Sequence, residues 1–394
     1  MASELSVLHL ETSNALRAYA RQWDDLWYRS EVTQPTAQAP LIANWLDYYH
    51  PDADFRAIVI SQGKRFLAAL PLVTRVKRGL IRCLDVPGNE WSAAGDLLLD
   101  PACDMAQLCG LLVGALNELG CPPLWLASVP IEARRWKTLM AAAAGENWRV
   151  AARGRYQVGR LRVPSRWTPE PPEELLLSKG MRKRIRRATR QLEARGTLRL
   201  HVVCPTEGEL ALSLLETGLK LEHAGWKGRA GTSLMTHPRA RRFVEAQTIA
   251  LVAKQQLSLA LLELDGEIMA FEYGWRAKNV YHSYKIAYSE AFSRFSPGQL
   301  LLYHLLHHFS ASNDINVIDF VGPADDAVRR WHPRYYAMGR LLMAPPTLLG
   351  RAMVSASRHF SLNASVPGPT LKTMPFGQLL NRPPTGYSSG GATP

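Results

Sequence analysis

Residues 280–321 read VYHSYKIAYSEAFSRFSPGQLLLYHLLHHFSASNDINVIDFV, and this stretch decides the fold. Its residue types predict a strand over 280–287, a helix over 298–309 and a second strand over 315–321. A turn-forming segment, Ser296-Pro297-Gly298-Gln299, separates the first strand from the helix. A helix start of this kind leaves backbone N–H groups unpaired, and with the helix dipole they can hold phosphate. Because Ser-Pro-Gly also marks ordinary turns, both interpretations stay open at this point.

The bulk composition bounds the class of protein. A chain of 394 residues with 47% apolar residues predicts two folded domains. We find no apolar run long enough to cross a bilayer and no basic-then-apolar start, so we expect a cytoplasmic protein. The five cysteines are odd in number and lack Cys-x-x-Cys spacing, which argues against a disulfide framework or zinc ribbon. His304 and His308 lie four residues apart, but no Glu accompanies them as in metalloproteases, and we expect no metal.

The formal charge of +13 is concentrated in one segment. Residues 179–195 hold eight Lys or Arg and one Glu, which places +7 there. An apolar stripe at helical spacing predicts a helix docked on the core and otherwise solvated; it consists of Met181, Ile185, Ala188 and Leu192. The alternative is a helix that contacts an anionic ligand through its basic residues, namely Arg182, Lys183, Arg186, Arg187 and Arg190. Nucleic acid is a less favoured ligand here, but it stays open.

The order of predicted elements divides the chain. In the first half we predict a helix at 12–29, a hairpin at 55–60 and 65–72, strands at 96–99, 124–127 and 156–163, and helices at 104–119 and 131–143. Residues 164–174 are rich in proline and predict a linker between an N-terminal domain, 1–163, and a C-terminal domain, 175–350. In the second half we predict helices at 179–195, 207–222, 239–255, 298–309 and 324–331, and strands at 198–203, 257–264, 267–276, 280–287, 315–321 and 338–343. Residues 365–394 are rich in Pro, Gly and Ser and predict a flexible tail.

This order resembles the fold of GNAT acyltransferases. Residues 221–232, LEHAGWKGRAGT, are similar to the Gly-Trp-Lys-Gly…Gly-Thr loop of the GNAT family associated with bacterial cellulose and exopolysaccharide biosynthesis. The segments 178–183, 296–298, 87–89 and 95–98 also resemble that family, so the resemblance covers about residues 50–345. It implies an α/β (α+β) protein of two GNAT-like domains, each a mixed, largely antiparallel twisted sheet flanked by helices. The first domain would be degenerate and the second would carry acyl transfer, an arrangement shared with Fem-type aminoacyl transferases, which build peptidoglycan cross-bridges.

The sequence also departs from this family. The position where the family often has an aromatic–Lys pair reads Ala-Val-Arg-Arg-Trp at 327–331, and the Gln/Arg-x-x-Gly-x-Gly/Ala phosphate loop of ordinary GNAT enzymes is missing. The resemblance therefore implies that the Ser-Pro-Gly turn binds the donor, acetyl-CoA or another acyl-CoA. The expected donor contacts are Lys285, Ser296, Pro297, Gly298 and Gln299. The expected acceptor contacts are Trp226, Lys227, Arg229, Arg329 and Trp331, although the loop at 225–232 is also explained as a mobile connection.

Acyl transfer to an amine needs a group that removes a proton and a place for the developing oxyanion. The candidates for proton transfer are Asp319, Tyr284, His282 and Glu272. Asp319 has the best position, because the carboxyl ends of strands face the site in open α/β sheets; the alternatives are a helix cap or an ion pair with Arg329 or Arg330. Alternation places Tyr281, Ser283, Lys285 and Ala287 on one strand face and His282, Tyr284, Ile286 and Tyr288 on the other. Ordinary sheet packing also explains these side chains.

The favoured function is transfer of an acetyl or other acyl group from acyl-CoA to an amine or hydroxyl of a sugar or envelope polysaccharide precursor. We expect direct attack in a ternary complex, because no Cys or Ser lies in a nucleophile motif. One alternative is a Fem-like transferase that uses aminoacyl-tRNA. The other is a GNAT-derived protein that has lost catalysis and binds an anionic lipid, polymer or nucleic acid.

Overall fold

The computed structural model describes residues 4–51, 54–77, 81–165 and 177–347. The predicted linker at 164–174 lies mostly outside these residues, and the predicted tail at 365–394 lies entirely outside them. The strands in the described part are β1 Leu5–Leu10, β2 Phe55–Gln62, β3 Arg65–Lys77, β4 Ile81–Asp85, β5 Leu98–Leu99, β6 Leu124–Val129, β7 Arg149–Arg162, β8 Leu198–Val203, β9 Leu257–Leu264, β10 Glu267–Ala277, β11 Val280–Tyr288, β12 Val317–Pro323 and β13 Arg334–Ala344. The α-helices there are α1 Ser13–Ala18, α2 Ala20–Arg29, α3 Ala39–Tyr49, α4 Met105–Glu118, α5 Arg134–Gly145, α6 Lys179–Glu193, α7 Gly208–Ala224, α8 Trp226–Arg229, α9 Pro238–Ala253, α10 Pro297–Ser312 and α11 Asp326–Arg329.

All of these strands belong to one mixed sheet. Its order is β1-β2-β3-β4-β6-β13-β7-β12-β11-β10-β9-β8, and the short β5 pairs with β3. Neighbouring strands are antiparallel except for β4 beside β6 and β11 beside β12. The predicted fold class, a mixed and largely antiparallel sheet flanked by helices, is therefore confirmed, with the strands of both halves joined in a single sheet.

The two halves of the chain exchange strands at the middle of this sheet. β7 comes from the first half, yet it pairs with β12 on one side and with β13 on the other. β13 comes from the end of the chain and also pairs with β6. A cut at the predicted linker would therefore separate β13 from both of its neighbours. The domain boundaries at 163 and 175 stay a prediction.

Helices cover the sheet, and one buried cluster spans both halves of the chain. Trp23 and Trp45 of the first half share this cluster with Phe243 and Trp275 of the second. A second cluster packs α4 and α5 on the first half, and a third packs α6 and α10 on the second half. The shared cluster lies on one face of β10 and β11, so that face of the second half meets the first half.

A lysine in the turn between β10 and β11 fastens this junction. Lys278 Nζ donates to the carbonyl oxygens of Ser30 at 2.9 Å and Val32 at 2.6 Å, and also to that of Trp27. The ammonium lies 4.4 Å from the centre of the Trp27 ring. The Trp27 carbonyl lies in the last turn of α2 and those of Ser30 and Val32 follow it, so the cation also interacts favourably with the helix dipole. The turn therefore fixes the start of β11 against the first half.

Several predicted elements have different bounds, and three were missed. The helix predicted at 12–29 breaks at Tyr19 into α1 and α2. The loop predicted at 224–232 contains α8, and the helix predicted at 324–331 is limited to α11. The missed elements are β1, α3 and β4, whose short or uniformly apolar runs give weak periodicity.

The basic helix confirms its predicted docking. Ser178 Oγ accepts the N–H of Met181 at 3.2 Å and so caps α6. The four stripe residues are all buried: Met181, Ile185, Ala188 and Leu192. Solvated docking by the stripe is therefore established, while the basic face is a separate question.

Close packing of α7 on β10 depends on a glycine. A Cβ at Gly218 would lie 2.1 Å from the Phe271 ring, which is itself buried. We expect Gly218→Ala to lower the free energy of unfolding by about 1–3 kcal/mol through overpacking. The control is Gly114→Ala in α4, where a Cβ meets nothing within 4 Å and Ala should add about 0.5–1 kcal/mol. Urea unfolding measures both variants, and an unchanged Gly218→Ala protein would contradict this packing.

Candidate active site

The two central strands of the second half separate along their length. β11 and β12 pair in parallel only from Val280 to His282, opposite Val317 to Asp319. β11 continues to Tyr288 while it pairs with β10 on its other side. In the described part of the chain, the rest of the β11 edge has no β-partner on the β12 side. An extended ligand can use such an edge, since its N–H and C=O groups need hydrogen bonds.

A β-bulge lies on β11 where the strands have separated. Lys285 pairs with Tyr273 and Ser283 with Gly274, so Tyr284 is an extra residue. Tyr284 Oη donates to the carbonyl of Trp91, and Lys285 Nζ lies 5.5 Å from the centre of the Trp91 ring. Tyr284 and Lys285 therefore point to the same face. The predicted alternation is wrong from this point, because the added residue shifts the side-chain period by one.

The Ser-Pro-Gly turn lies beside the end of β11. Ser296 is left-handed, with φ 53°, and Pro297 begins α10. The N–H groups of Gln299 and Leu300 already donate to the Ser296 carbonyl, at 2.9 and 3.2 Å. Since proline has no N–H, the first turn offers the N–H of Gly298 to a ligand. A Cβ at Gly298 would lie 3.2 Å from Ile286 Cδ1, so the turn and the strand edge are in contact.

Two further predicted contacts and two unforeseen arginines surround this turn. Gln299 Oε1 accepts the indole N–H of Trp331 at 2.7 Å, and Trp331 is only 1% exposed. Trp331 is thus placed to support Gln299 rather than to contact an acceptor from solvent. Arg195 and Arg294 are both exposed, and their guanidinium carbons lie 5.2 and 4.6 Å from the centre of the Phe295 ring. Phe295 immediately precedes the turn, so these arginines make its surroundings positive.

The second part of the site is a buried carboxylate that binds two lysines. Glu222 Oε1 accepts Lys227 Nζ at 2.9 Å and Lys285 Nζ at 3.1 Å, and Oε2 accepts the N–H of Leu234 at 3.1 Å. Lys227 also donates to the carbonyl of Ile286 at 3.3 Å. The end of α7, the Gly-Trp-Lys-Gly loop and the bulged part of β11 therefore meet at one carboxylate. We call Glu222, Lys227 and Lys285 the lysine–glutamate cluster.

The electrostatics of this cluster follow from burial and charge together. Burial alone would raise the pKa of Glu222, but Lys285 and Lys227 lower it to about 2. Burial lowers the pKa of Lys285, and the Glu222 carboxylate opposes that shift. The Glu222 carboxylate is therefore ionised at neutral pH.

A small cleft, open to solvent, lies at this cluster. Its lining includes Glu222, Trp226, Lys227, Ile286 and Glu290. Trp226 is 38% exposed and forms part of the surface of the opening. The predicted acceptor residue Arg229 is bound to the rim, since its two terminal nitrogens donate to Glu290 at 3.0 and 2.7 Å. Arg329 lies elsewhere and donates from Nε to the carbonyl of Ala324 at 3.1 Å.

Asp319 is fully buried, and its carboxylate is engaged on both oxygens. Oδ2 accepts Arg160 Nε at 2.7 Å, while Oδ1 accepts the N–H of Val321 at 2.8 Å and Tyr336 Oη at 3.2 Å. Asp319 is therefore in an ion pair with Arg160 of β7, and not with Arg329 or Arg330. The exchange of strands at the middle of the sheet supplies this arginine.

His282 lies opposite Asp319 at the last pair before the strands separate. Its Nε2 is 3.2 Å from the carbonyl oxygen of Thr33, and its Nδ1 has no hydrogen-bond partner within the described ranges. Burial lowers the pKa of His282 to about 4, so the imidazole is neutral at pH 7. A neutral ring nitrogen at this point can accept a proton.

Glu272 and Tyr284 lie on opposite faces of the sheet. Glu272 contacts Tyr281 and Ser283 on the face covered by α10, and burial raises its pKa to about 7. Tyr284 packs in parallel with Trp275, with ring centres 4.6 Å apart, on the face that meets the first half. The four predicted proton-transfer residues are therefore not one constellation. Only His282 and Asp319 are neighbours across the strand pair.

Two residues at the lysine–glutamate cluster were also missed at the sequence level, although one left a signal. Glu222 occupies the buried stripe of α7, which otherwise consists of Ala211, Leu215, Gly218 and Leu219. An acid at an apolar-stripe position predicts a buried charge with partners. Trp91 contacts Tyr284 and Lys285 from a loop of the first half, and no local pattern indicates that contact.

No three His, Cys, Asp or Glu side chains in the described part of the chain gather as a metal ion would require. No helix there is both long and apolar enough to cross a membrane.

Comparison with known proteins is informative for the second half of the chain and for the fold. A family model described as an acetyltransferase (GNAT) domain matches residues 179–331, which hold the turn, β11 and the lysine–glutamate cluster. No curated protein matches the sequence significantly. The crystal structure of FemX is similar with a TM-score of 0.56 and 10% identity, over 85% of this chain and 96% of FemX. The structure of a conserved protein of unknown function from Bacteroides thetaiotaomicron is also similar, with a TM-score of 0.53 and 11% identity. The match covers 86% of this chain and 100% of that protein. At these identities the likeness concerns the fold alone.

The lysine–glutamate cluster predicts a distinctive pH dependence. The pKa of Glu222 is about 2 when folded and 4.5 in its ordinary state, so its stabilisation is complete above pH 4.5 and is lost as the pH falls toward 2. Glu222→Gln should be less stable at pH 7, because two lysines lose their carboxylate. Between pH 7 and pH 3, the wild type should lose about 2 kcal/mol more free energy of unfolding than the variant. Urea titrations at several pH values measure this difference, and parallel pH curves would refute it.

Proposed function

We propose that this protein is an acyltransferase that moves an acetyl or other acyl group from acyl-CoA to an amine or hydroxyl of an acceptor. The observation that carries the proposal is the separation of β11 from β12, with a helix start at one end of the free edge. Donor phosphates would lie at the N–H of Gly298, near Arg195 and Arg294. The extended arm of the donor would follow the β11 edge, and its acyl group would reach the bulge. The acetyltransferase (GNAT) family match over 179–331 supports this assignment.

The reaction would be a direct displacement at the thioester carbonyl. The acceptor nitrogen or oxygen forms a bond to the acyl carbon, the carbon–sulfur bond breaks, and the CoA thiolate leaves and takes up a proton. Backbone N–H groups of the bulged strand near Lys285 would stabilise the oxyanion. Of the four proton-transfer candidates, His282 is placed best, because it is neutral and lies where the gap begins. The negative charge of Asp319 would then favour the protonated form of His282. Tyr284 and Glu272 would contribute to packing on the two faces of the sheet.

We further propose that the acceptor is a sugar or an envelope polysaccharide precursor. Support comes from the Gly-Trp-Lys-Gly loop at 225–228. Its sequence resembles that of the GNAT family associated with cellulose and exopolysaccharide biosynthesis. That loop forms the opening of the cleft, with Trp226 exposed and Lys227 behind it. A cleft with one aromatic wall and a few polar groups suits a polar ring. All five cysteines are unpaired, as expected for a protein of the cytoplasm, where acyl-CoA is available.

The test of the donor site is calorimetric titration of the whole chain with acetyl-CoA. We expect saturable micromolar binding, reduced about tenfold or more in Gly298→Glu, because the new carboxylate would meet the donor phosphates. An acid in the first turn is compatible with the helix dipole, so this variant should keep its melting temperature. The control is Gly145→Glu at the end of α5, where a side chain meets open space. If acyl-CoA does not bind, or if both variants bind as the wild type does, the proposed donor site is wrong.

A second candidate function is a Fem-like transferase that uses aminoacyl-tRNA, and the basic face of α6 favours it. Five exposed side chains form that face: Lys183, Arg184, Arg186, Arg187 and Arg190. Within the described ranges, none of them has an ion pair with an acid. Such a helix can contact a row of phosphates.

Salt dependence distinguishes this candidate from the first. If RNA is the donor carrier, an RNA of about 16 nucleotides should bind, and its affinity should fall steeply with salt. Arg186→Glu with Arg187→Glu should weaken that binding and, by removing two phosphate contacts, reduce the slope of log K against log salt by about 1.5. The control, Arg21→Glu with Arg134→Glu, changes two exposed arginines of the first half and the same net charge. Fluorescence anisotropy measures all three proteins; equal binding by both variants would leave acyl-CoA as the donor.

A further inference from the structure

With both lysines protonated, the lysine–glutamate cluster has a net charge of +1. Glu222 supplies one negative charge, whereas Lys227 and Lys285 supply two positive charges on the same oxygen. The three side chains are mostly buried, with exposed fractions of 4%, 24% and 17% in the order Glu222, Lys227, Lys285. A partly buried charge is costly unless it is paired, so the cluster favours a second anion.

The next acid on the cleft does not supply that anion. Glu290 lines the same cleft, but both of its oxygens accept the guanidinium of Arg229, at 2.7 and 3.0 Å. The charged groups that act on Lys285 are Glu222, which opposes its loss of charge, and Lys227, which promotes it. No second carboxylate from the surrounding elements therefore compensates the extra positive charge of the two lysines.

The cluster also has unused hydrogen-bond donors. An ammonium group has three N–H bonds. Lys285 uses one on Glu222, and Lys227 uses one on Glu222 and one on the carbonyl of Ile286. Within the described ranges, the other two of Lys285 and the last of Lys227 have no acceptor. Aromatic rings surround both groups, since Lys285 lies 5.5 Å from the Trp91 ring centre and Lys227 lies 6.0 Å from that of Trp226.

We propose that Lys227 and Lys285 bind an oxyanion, a phosphate or carboxylate group carried by the acceptor. This inference rests on the proposed function, because it takes the cleft as the acceptor side of the reaction. Lys285 neighbours the extra residue of the bulge, so an anion bound there holds the acceptor next to the place of the acyl group. The two lysines would then determine specificity: a neutral acceptor of the same shape leaves the excess charge unpaired and binds more weakly.

The structure provides a selective variant for the test. Lys285→Met removes the excess charge, while Glu222 keeps Lys227 as its partner and stays paired. We expect inorganic phosphate and acetate, titrated separately against the wild type, to show which oxyanion binds more tightly. Lys285→Met should weaken binding of the preferred anion by about tenfold or more, and Lys285→Arg should restore most of it. Lys227→Met is the second variant, because it leaves the Lys285–Glu222 pair if Lys285→Met does not fold.

Two controls assign the anion to this cluster. Lys220 lies on α7, the helix that carries Glu222; its side chain is 69% exposed and paired with Glu216. The Lys220→Met variant should bind anions as the wild type does. Gly298→Glu should also retain this site while it loses acyl-CoA. If neither anion binds the wild type, or if both Met variants bind as it does, the inference is overturned even where acetyl-CoA binds. If the anion binds at the lysines and acetyl-CoA does not bind, the proposed function fails and the acceptor role fails with it.

Discussion

The buried carboxylate of Glu222 is the interaction on which the candidate site depends. A carboxylate in this position needs cations and N–H donors, and the chain supplies them from three separate places: Lys227 after α7, Lys285 on β11 and the N–H of Leu234. These contacts hold the end of α7, the loop after it and β11 together beside the cleft. Because a buried ion pair contributes little net stability once desolvation is counted, the gain is in position more than in free energy. The loop at 225–232 is held against the strand by this carboxylate, even though its sequence resembles a mobile connection.

The continuous sheet fixes the other half of the site. β7 and β13 cross between the halves of the chain, so the edge of β12 cannot move independently of the first half. The same crossing brings Arg160 to Asp319, and the turn at Lys278 brings the end of α2 to the start of β11. The point at which β11 and β12 separate is thus determined from both sides. A gap at such a point is a stable property of the fold.

The sequence predicts those parts of the structure that depend on local pattern. The basic helix and the strand–turn–helix–strand around Gly298 both follow from periodicity and turn chemistry. The bulge at Tyr284 does not, because the inserted residue is decided by pairing with β10 and leaves no mark in the sequence pattern. The partner of Asp319 lies 159 positions away on another strand, and no local rule selects Arg160 over Arg329. Glu222 could have been predicted from the sequence, because an acid among the apolar stripe residues of α7 indicates a buried charge with partners.

The two faces of β11 give the proposals a common geometry. Ile286 points toward Gly298 and the turn, whereas Lys285 points toward Trp91 and Glu222. A donor along the free edge of β11 and an acceptor on the Lys285 face would be separated only by the width of this one strand. Positive charge lies on both sides, from Arg195 and Arg294 at the turn and from the cluster at the cleft. An anionic donor and an anionic acceptor would then each have a separate positive region, one on either side of the strand edge.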